Sequence, residues 1–421
     1  MRTRNALTTA AAIAAAMALT GGAVQPVPDP LPDEVVLHQQ LWQAPQPQAR
    51  TAPHAETGTA PQAEAGSPPQ AVPGEQGPAL EAAVQRLVDD GAIAVTARVE
   101  SGDRVWADAA GSRIQDRRPP ALEHSPFRAA STTKMLVAAL VLQEVAAGTW
   151  SLDSTIGEID PTILPAHPDA TLRQLLSHTS GMPYGTDALL AGRMDDPTSV
   201  EESVAVIGER FPDTDHLAVA DGGAWTEPGA FVYSNVAYVV LGAALETATG
   251  EELGELIEER ILEPLDMDDS RYAERPGMRG RELREAMWDG ATWTDLQHFD
   301  PTVFAAAGAL VSTTEDLATF TEALITGEVV PQPLVDEMVT PVTTDLLEYG
   351  LGVYRVPDPC VPGEFLYGHD GAALGTISVA YTSADGSRQV SLGVTGRDAS
   401  GQQPPLWNLN ELLVPMLLAS C

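Results

Sequence analysis

The chain has 421 residues, of which 44% are hydrophobic and 19% charged, and its formal net charge is −36. Such an acidic surface repels nucleic acid and anionic membranes, and no basic stripe or aromatic-basic interleaving offsets it, which argues against a nucleic-acid partner. The eight histidines and two cysteines form no H-E-x-x-H or comparable cluster, so neither a metal nor another cofactor is expected.

Arg2 and Arg4 precede an apolar run over residues 6–19, and the small residues Gly21, Gly22 and Ala23 follow. Residues 1–23 therefore read as a secretory signal peptide, too short for a membrane span, which predicts a secreted or wall-associated protein with no stable membrane anchor. Residues 24–79 are rich in Pro, Gln, Ala and Glu and poor in large apolar side chains, as expected of a disordered linker. One globular domain is predicted over 80–421. In an oxidising compartment its two cysteines, Cys360 and Cys421, would pair and tie the C-terminus to the body.

The domain opens with "ALEAAVQRLVDDG", apolar at Leu80, Val84, Leu87 and Val88, a helix ending at Gly91. "AIAVTARVE" and "RVWADAAG" follow as strands split by the turn "SGD". "STTKMLVAALVLQEVAAG" reads as a helix from Ser131 to Gly148, apolar nearly all round and hence central. Helical and loop-rich sequence fills the middle, from Thr171 to about Ile325. Strand signals return at "YGLGVYRV", "EFLYGH", "GTISVAYTS" and "RQVSLGVTG", the last two joined by "ADG", a hairpin signal. "LWNLNELLVPMLLA" closes as a helix interrupted at Pro415. The order predicts an α+β fold: an antiparallel sheet built from both chain ends, flanked by helices, with a mostly helical subdomain.

Among 23 basic residues Lys134 is the only lysine, and it follows Ser131 by three positions. Arginine cannot lose its proton in a protein, whereas lysine can serve as a base, so a composition that otherwise builds every cation from arginine makes this one informative. Ser131 and Lys134 share one face of a helix start, where positive potential favours the neutral amine and stabilises negative charge at the hydroxyl. This is a nucleophile with its base within one turn. No G-x-S-x-G elbow occurs, which argues against the α/β-hydrolase arrangement.

Ser131-Thr132-Thr133-Lys134 in "FRAASTTK", Tyr233-Ser234-Asn235 in "EPGAFVYSNVAYVVLG" and His369-Asp370-Gly371 in "YGHDGAALG" stand in that order, at offsets of 102 and 136 between their leading residues. With "TLRQLLSHTSGMP", "ILEPLDMDDS" and "AAAGALVSTTEDLATF" between them, the chain from about Leu80 onward resembles the serine penicillin-recognising hydrolases. Within them it is most similar to the branch of class C β-lactamases, secreted D-alanyl-D-alanine carboxypeptidases and related esterases.

The resemblance implies a β-lactamase/transpeptidase-like fold and an acyl-enzyme on Ser131, with Lys134 and Tyr233 sharing the proton relay. It implies that Asn235 bonds Lys134 and the substrate, that His369 bonds Tyr233, and that the backbone N–H groups of Ser131 and Ala372 form the oxyanion hole. Asp370, Gly371 and Arg355 are expected at the substrate. Asp370 would repel a terminal carboxylate unless Arg355 neutralises it or grips the carboxylate itself. His178 in "LSHTSG" reads as a satisfied helix-end histidine, and Tyr238 and Trp225 as core or cleft wall. The expected substrate is a small molecule or peptide, first a D-alanyl peptide; a β-lactam, an ester or a D-amino-acid amide on the same machinery is the alternative. A non-catalytic binding module is the alternative of another class.

Overall fold

The computed structural model describes residues 70–71, 76–196, 200–343, 347–398 and 406–421, so the expected signal segment and most of the expected linker lie outside the described residues. Strand β1 (Gln70–Ala71) precedes helix α1 (Gly77–Asp89) and the hairpin of β2 (Ala94–Ser101) and β3 (Arg104–Gly111). The central helix is α2 (Thr133–Ala146); the helical region after it includes α3 (Leu172–Leu176), α4 (Thr186–Ala191), α5 (Asp213–Gly222), α6 (Asn235–Thr249) and α7 (Thr314–Ile325). Strands β4 (Tyr354–Pro357), β5 (Phe365–Ala372), β6 (Thr376–Ser383) and β7 (Arg388–Thr395) lead to helix α8 (Asn410–Ala419).

The sheet runs β1-β3-β2-β7-β6-β5-β4, and every neighbouring pair is antiparallel except β1 with β3. The pairing of β7 with β2 joins the two chain ends, as expected. Because side chains alternate along a strand, each sheet face carries its own set of residues. Val95, Ala97 and Val99 of β2, Val379 and Tyr381 of β6, and Val390 and Leu392 of β7 pack in one cluster with Leu80, Val84 and Leu87 of α1 and Leu412, Leu413 and Met416 of α8. Each fully buried aliphatic side chain there is worth about 1.5–3 kcal/mol. The opposite face meets α2 and α7, and α2 is covered on all sides, with Met135 through Leu142 fully buried.

Two small three-stranded sheets interrupt the helical region: Phe127–Arg128 and Arg271–Tyr272 flank Leu310–Ser312, and Ala286–Trp288 pairs with Trp293–Asp295 and Arg397–Asp398. Segments of two or three residues are too short to show a period-two pattern, and the sequence did not predict them. "YGLGVYRV" becomes strand only from Tyr354. Before it Gly350 N–H closes a turn on the Val353 carbonyl at 2.8 Å, and Gly352, at φ +79°, lies so close to α2 that a Cβ would stand 2.4 Å from the Cβ of Ala138.

Cys360 and Cys421 form the expected disulfide, with Cα atoms 5.2 Å apart, and it ties the end of α8 to the loop after β4. No helix among the described residues is long and apolar enough to cross a membrane.

Candidate active site

Ser131 is carried by a 3-10 turn (Ala130–Thr132) that runs into α2. The turn needs Ala130 in the left-handed region, at φ +48°, a conformation that costs an alanine about 1–2 kcal/mol. Hydrogen bonds on all sides hold it there. Thr132 Oγ1 and Thr133 Oγ1 donate to the carbonyls of Ala129 and Ala130 at 2.8 and 2.6 Å, and Ser378 Oγ donates to Ala129 O at 2.6 Å. Thr133 Oγ1 also accepts from the N–H of Leu310 at 3.1 Å. The two threonines between Ser131 and Lys134 thus build the turn rather than join the chemistry.

Lys134 is fully buried, and its Nζ contacts Ser131 Oγ at 2.9 Å, Asn235 Oδ1 at 2.8 Å and the Ala307 carbonyl at 3.0 Å. Two of these partners can only accept. A neutral amine therefore spends both its hydrogens on Asn235 and Ala307 and turns its lone pair to the Ser131 hydroxyl. The Nζ also lies 4.8 Å from the Tyr233 ring centre and 5.6 Å from that of Tyr238.

Asn235 is the first residue of α6, whose N-cap Ser234 accepts from Ala237 N–H at 3.1 Å, so Tyr-Ser-Asn is at once a helix cap and a site element. Its amide is fixed from both ends: Oδ1 faces Lys134 and Nδ2 donates to Thr186 Oγ1 at 3.1 Å.

Strand β5 forms the opposite wall. A Cβ on Gly371 would stand 2.4 Å from Ala129 O and 2.9 Å from Ser131 N, so only glycine lets the strand approach the nucleophile this closely. Gly371 therefore makes room at the site and offers no side chain to substrate. The Ala373 N–H bonds the Thr376 carbonyl at 3.0 Å, and antiparallel alternation then turns the Ala372 N–H away from β6. Strand β4 pairs β5 only as far as Gly368. The Ala372 N–H is thus presented on the edge of β5 past the end of β4.

The structure departs from the expectations at His369, Asp370, Arg355 and His178. His369 meets Tyr349, not Tyr233: its Nε2 lies 3.1 Å from Tyr349 Oη, and its Nδ1 donates to the Asp370 carbonyl. Nothing in the sequence marked Tyr349, which reaches His369 only through the turn before β4. Asp370 alternates with His369 and Gly371, so it points to the other sheet face and is fully buried, accepting from Tyr354 Oη at 2.5 Å, while Tyr354 Oη lies 2.7 Å from Tyr381 Oη. Burial and that carboxylate push both tyrosines well above their ordinary pKa. Arg355, paired with Tyr367 across the β4–β5 ladder, donates to Glu348 at 2.6 Å and stacks 3.8 Å over the Phe365 ring, on the sheet face opposite Asp370, so it does not neutralise that carboxylate.

His178 is buried beside the site. Its Nδ1 accepts from Ser234 N–H at 3.1 Å, but its buried Nε2 meets no acceptor among the described residues, so it is not the fully satisfied histidine expected. Burial first, then the charges of Lys134 and His369, hold its pKa well below the ordinary value. Tyr238 is core, with Oη donating to Leu176 O at 2.8 Å, and Trp225 stacks on His167 at 4.0 Å. Among the described residues no group of three or more His, Cys, Asp or Glu side chains is placed to hold a metal ion.

A family model described as Beta-lactamase matches residues 80–400. Esterase EstB of Burkholderia gladioli is 32% identical over 195 residues, 45% of this chain and 48% of the esterase. Penicillin-binding protein 4 of Amycolatopsis lactamdurans is 31% identical over 162 residues, 37% of this chain and 39% of that protein. These matches span half or less of the length of the two relatives. Among solved structures, a D-stereospecific amidohydrolase from Streptomyces sp. superposes with a TM-score of 0.67 at 27% identity, covering 76% of this chain and 94% of its own. The D-amino acid amidase of Ochrobactrum anthropi SV3 shares the fold, with a TM-score of 0.69 at 24% identity over 82% of this chain and 99% of its own.

Proposed function

The chain belongs to the Beta-lactamase family of serine hydrolases, and on that premise we propose that it cleaves neutral esters or amides through an acyl-enzyme on Ser131. The observation that carries this reading is the Lys134 amine 2.9 Å from Ser131 Oγ, with its other bonds on Asn235 and Ala307. As Oγ bonds the substrate carbonyl carbon, its proton passes to Lys134 Nζ, and the carbonyl oxygen becomes an oxyanion between the N–H groups of Ser131 and Ala372. The bond to the leaving group breaks as that atom takes a proton from Tyr233, which Lys134 resupplies. Water then adds to the acyl carbon while giving a proton to the amine, and the Oγ–C bond breaks as Ser131 recovers it.

Support for a neutral substrate comes from Arg355, whose guanidinium is already engaged by Glu348 and stacked on Phe365; Asp370, turned behind the sheet, has no bearing on the charge of the substrate. A D-alanyl-D-alanine carboxypeptidase is the second reading, favoured by one different observation. Arg397 Nη1 donates to the Ala373 carbonyl at 2.8 Å, one residue past the proposed oxyanion donor, which brings a cation near the end of the cleft. Secretion is part of the proposal: the leading segment is of signal type, and the Cys360–Cys421 bond suits an oxidising compartment.

Intact-mass labelling with a fluorophosphonate and, separately, a fluorescent penicillin tests the reading beside Ser131→Ala and Lys134→Arg. Fluorophosphonate labelling lost in both variants supports the acyl-enzyme, and hydrolysis of p-nitrophenyl acetate without release of D-alanine from a D-alanyl-D-alanine peptide supports the neutral substrate. Release of D-alanine that Arg397→Gln abolishes supports the second reading. Absence of any label in the wild type overturns both in favour of a binding module.

A further inference from the structure

Tyr233 is gripped from one residue. The His178 carbonyl accepts the N–H of Val232 at 2.8 Å, and its ring Nδ1 accepts the N–H of Ser234 at 3.1 Å, so both chain neighbours of Tyr233 are bonded to His178. The ring itself lies against the Tyr233 ring, with centroids 4.3 Å apart. We propose that His178 is a positioning residue that holds Tyr233 against Lys134, and that it does so only as a neutral imidazole carrying its proton on Nε2. The inference rests on Tyr233 serving in the acyl-enzyme chemistry.

The tautomer follows from the bonding. A backbone N–H can only donate, so Nδ1 must carry a lone pair and the single ring proton must be on Nε2. A second proton on Nδ1 would set two donors face to face and push Ser234 away. It would also add a cation among the titratable groups around the ring: Lys134 of α2, Tyr238 of α6, Tyr233, Tyr349 of the turn before β4, and His369 of β5. Of these Lys134 bears the formal charge when protonated, and its electrostatic influence, like that of His369, opposes protonation of His178.

His178 is an expensive residue if it serves packing alone. It adopts φ +58°, in the left-handed region that favours glycine, asparagine and histidine, and it buries an Nε2–H with no acceptor among the described residues. A leucine would fill the same space among Phe231, Tyr233, Tyr238 and Tyr349 without burying a polar atom. It could not bond Ser234. The left-handed turn is what lets one residue present its carbonyl to Val232 and its ring nitrogen to Ser234. The same loop continues the grip, with Pro183 O accepting from Ser234 Oγ at 2.7 Å and Tyr184 O accepting from Asn235 N–H at 3.2 Å. The segment from Val232 to Asn235 is thus seated on the loop that His178 begins.

The test compares His178→Asn and His178→Leu in the full chain. Asparagine tolerates the left-handed turn and can offer Oδ1 to Ser234; leucine does neither. Activity on p-nitrophenyl acetate is divided by the fraction of serine that a fluorophosphonate labels, so that unfolded protein does not count. The leucine variant is expected to lose about 100-fold in kcat per reactive serine, with KM within about threefold, because misplacing a catalytic group by about 1 Å costs that much. Asparagine is expected to restore at least about tenfold. Wild-type kcat per reactive serine in the leucine variant, or equal losses in both, would overturn the proposal. Should the leucine variant not fold, nitrogen NMR of histidine-labelled wild type decides: a neutral Nε2–H ring at pH 5 to 8 supports the assignment, and an Nδ1–H tautomer or titration in that range refutes it. Failure of the underlying function is separate, since Ser131→Ala would then still hydrolyse the ester.

Discussion

Gly371 and Ser131 meet at a distance that glycine allows: a Cβ at position 371 would stand 2.9 Å from the serine's backbone nitrogen. Gly371→Ala must therefore push β5 away from the turn and spoil the geometry of the Ser131 and Ala372 N–H groups together. Losing an oxyanion donor costs about 2.7–4 kcal/mol, or about 100- to 1,000-fold in kcat. The variant is expected to show that loss on p-nitrophenyl acetate while keeping the fold by circular dichroism. Retention of more than about a tenth of wild-type kcat would refute the pairing of this turn with β5 as the oxyanion site.

Asp370 serves the sheet rather than the substrate. It accepts from Tyr354 Oη within a buried trio with Tyr381, and removing one partner of a buried charged hydrogen bond is expensive. Tyr354→Phe is expected to lower unfolding free energy by about 3 kcal/mol, read from urea denaturation. KM for neutral esters should stay within about twofold. A large rise in KM with unchanged stability would return Asp370 to the cleft.

The parts of the site legible in the sequence were those fixed by short-range geometry. Ser131 and Lys134 meet because they are one turn apart on a helix start, and the lysine stood out against an arginine background. Asn235 was legible through the order of the short motifs, and the structure adds that it starts a helix behind the Ser234 cap. The face of Asp370 was available too: if His369 points at the site, strand alternation sends the next residue away. Tyr349 and the grip of His178 on Ser234 depend on segments 20 and 56 residues distant, and no local pattern records such contacts.

The disulfide closes a loop of 61 residues between the region after β4 and the end of α8. Chain entropy alone assigns such a cross-link about 4 kcal/mol. Helix α8 covers one sheet face together with α1, so loosening it exposes Leu412, Leu413 and Met416. Cys360→Ser with Cys421→Ser is expected to lower unfolding free energy by about 2–5 kcal/mol, with kcat nearly unchanged because the site lies on the opposite face. Equal denaturation midpoints with and without reductant in the wild type would show that the bond contributes nothing.

His216 contributes to the response to acid. It is buried on α5 with Nε2 donating to the Thr302 carbonyl at 2.8 Å, and burial lowers its pKa from 6.5 to about 4. In the unfolded chain it takes up a proton near pH 6.5; in the folded chain it does not until about pH 4. Its contribution is thus complete above pH 6.5 and is lost as pH falls toward 4, at up to about 1.4 kcal/mol per pH unit and about 3 kcal/mol in all. Buried His178 acts in the same direction. Asp213, Glu246 and Asp316, whose pKa values are raised chiefly by burial, act in the opposite one, so the wild-type curve alone cannot isolate the histidine. The difference between wild type and His216→Gln can. Urea denaturation at pH 7.5 and 4.5 should show the wild-type advantage shrinking by about 2–3 kcal/mol at the lower pH. An advantage independent of pH would mean that His216 takes up its proton at the same pH in the folded and the unfolded chain.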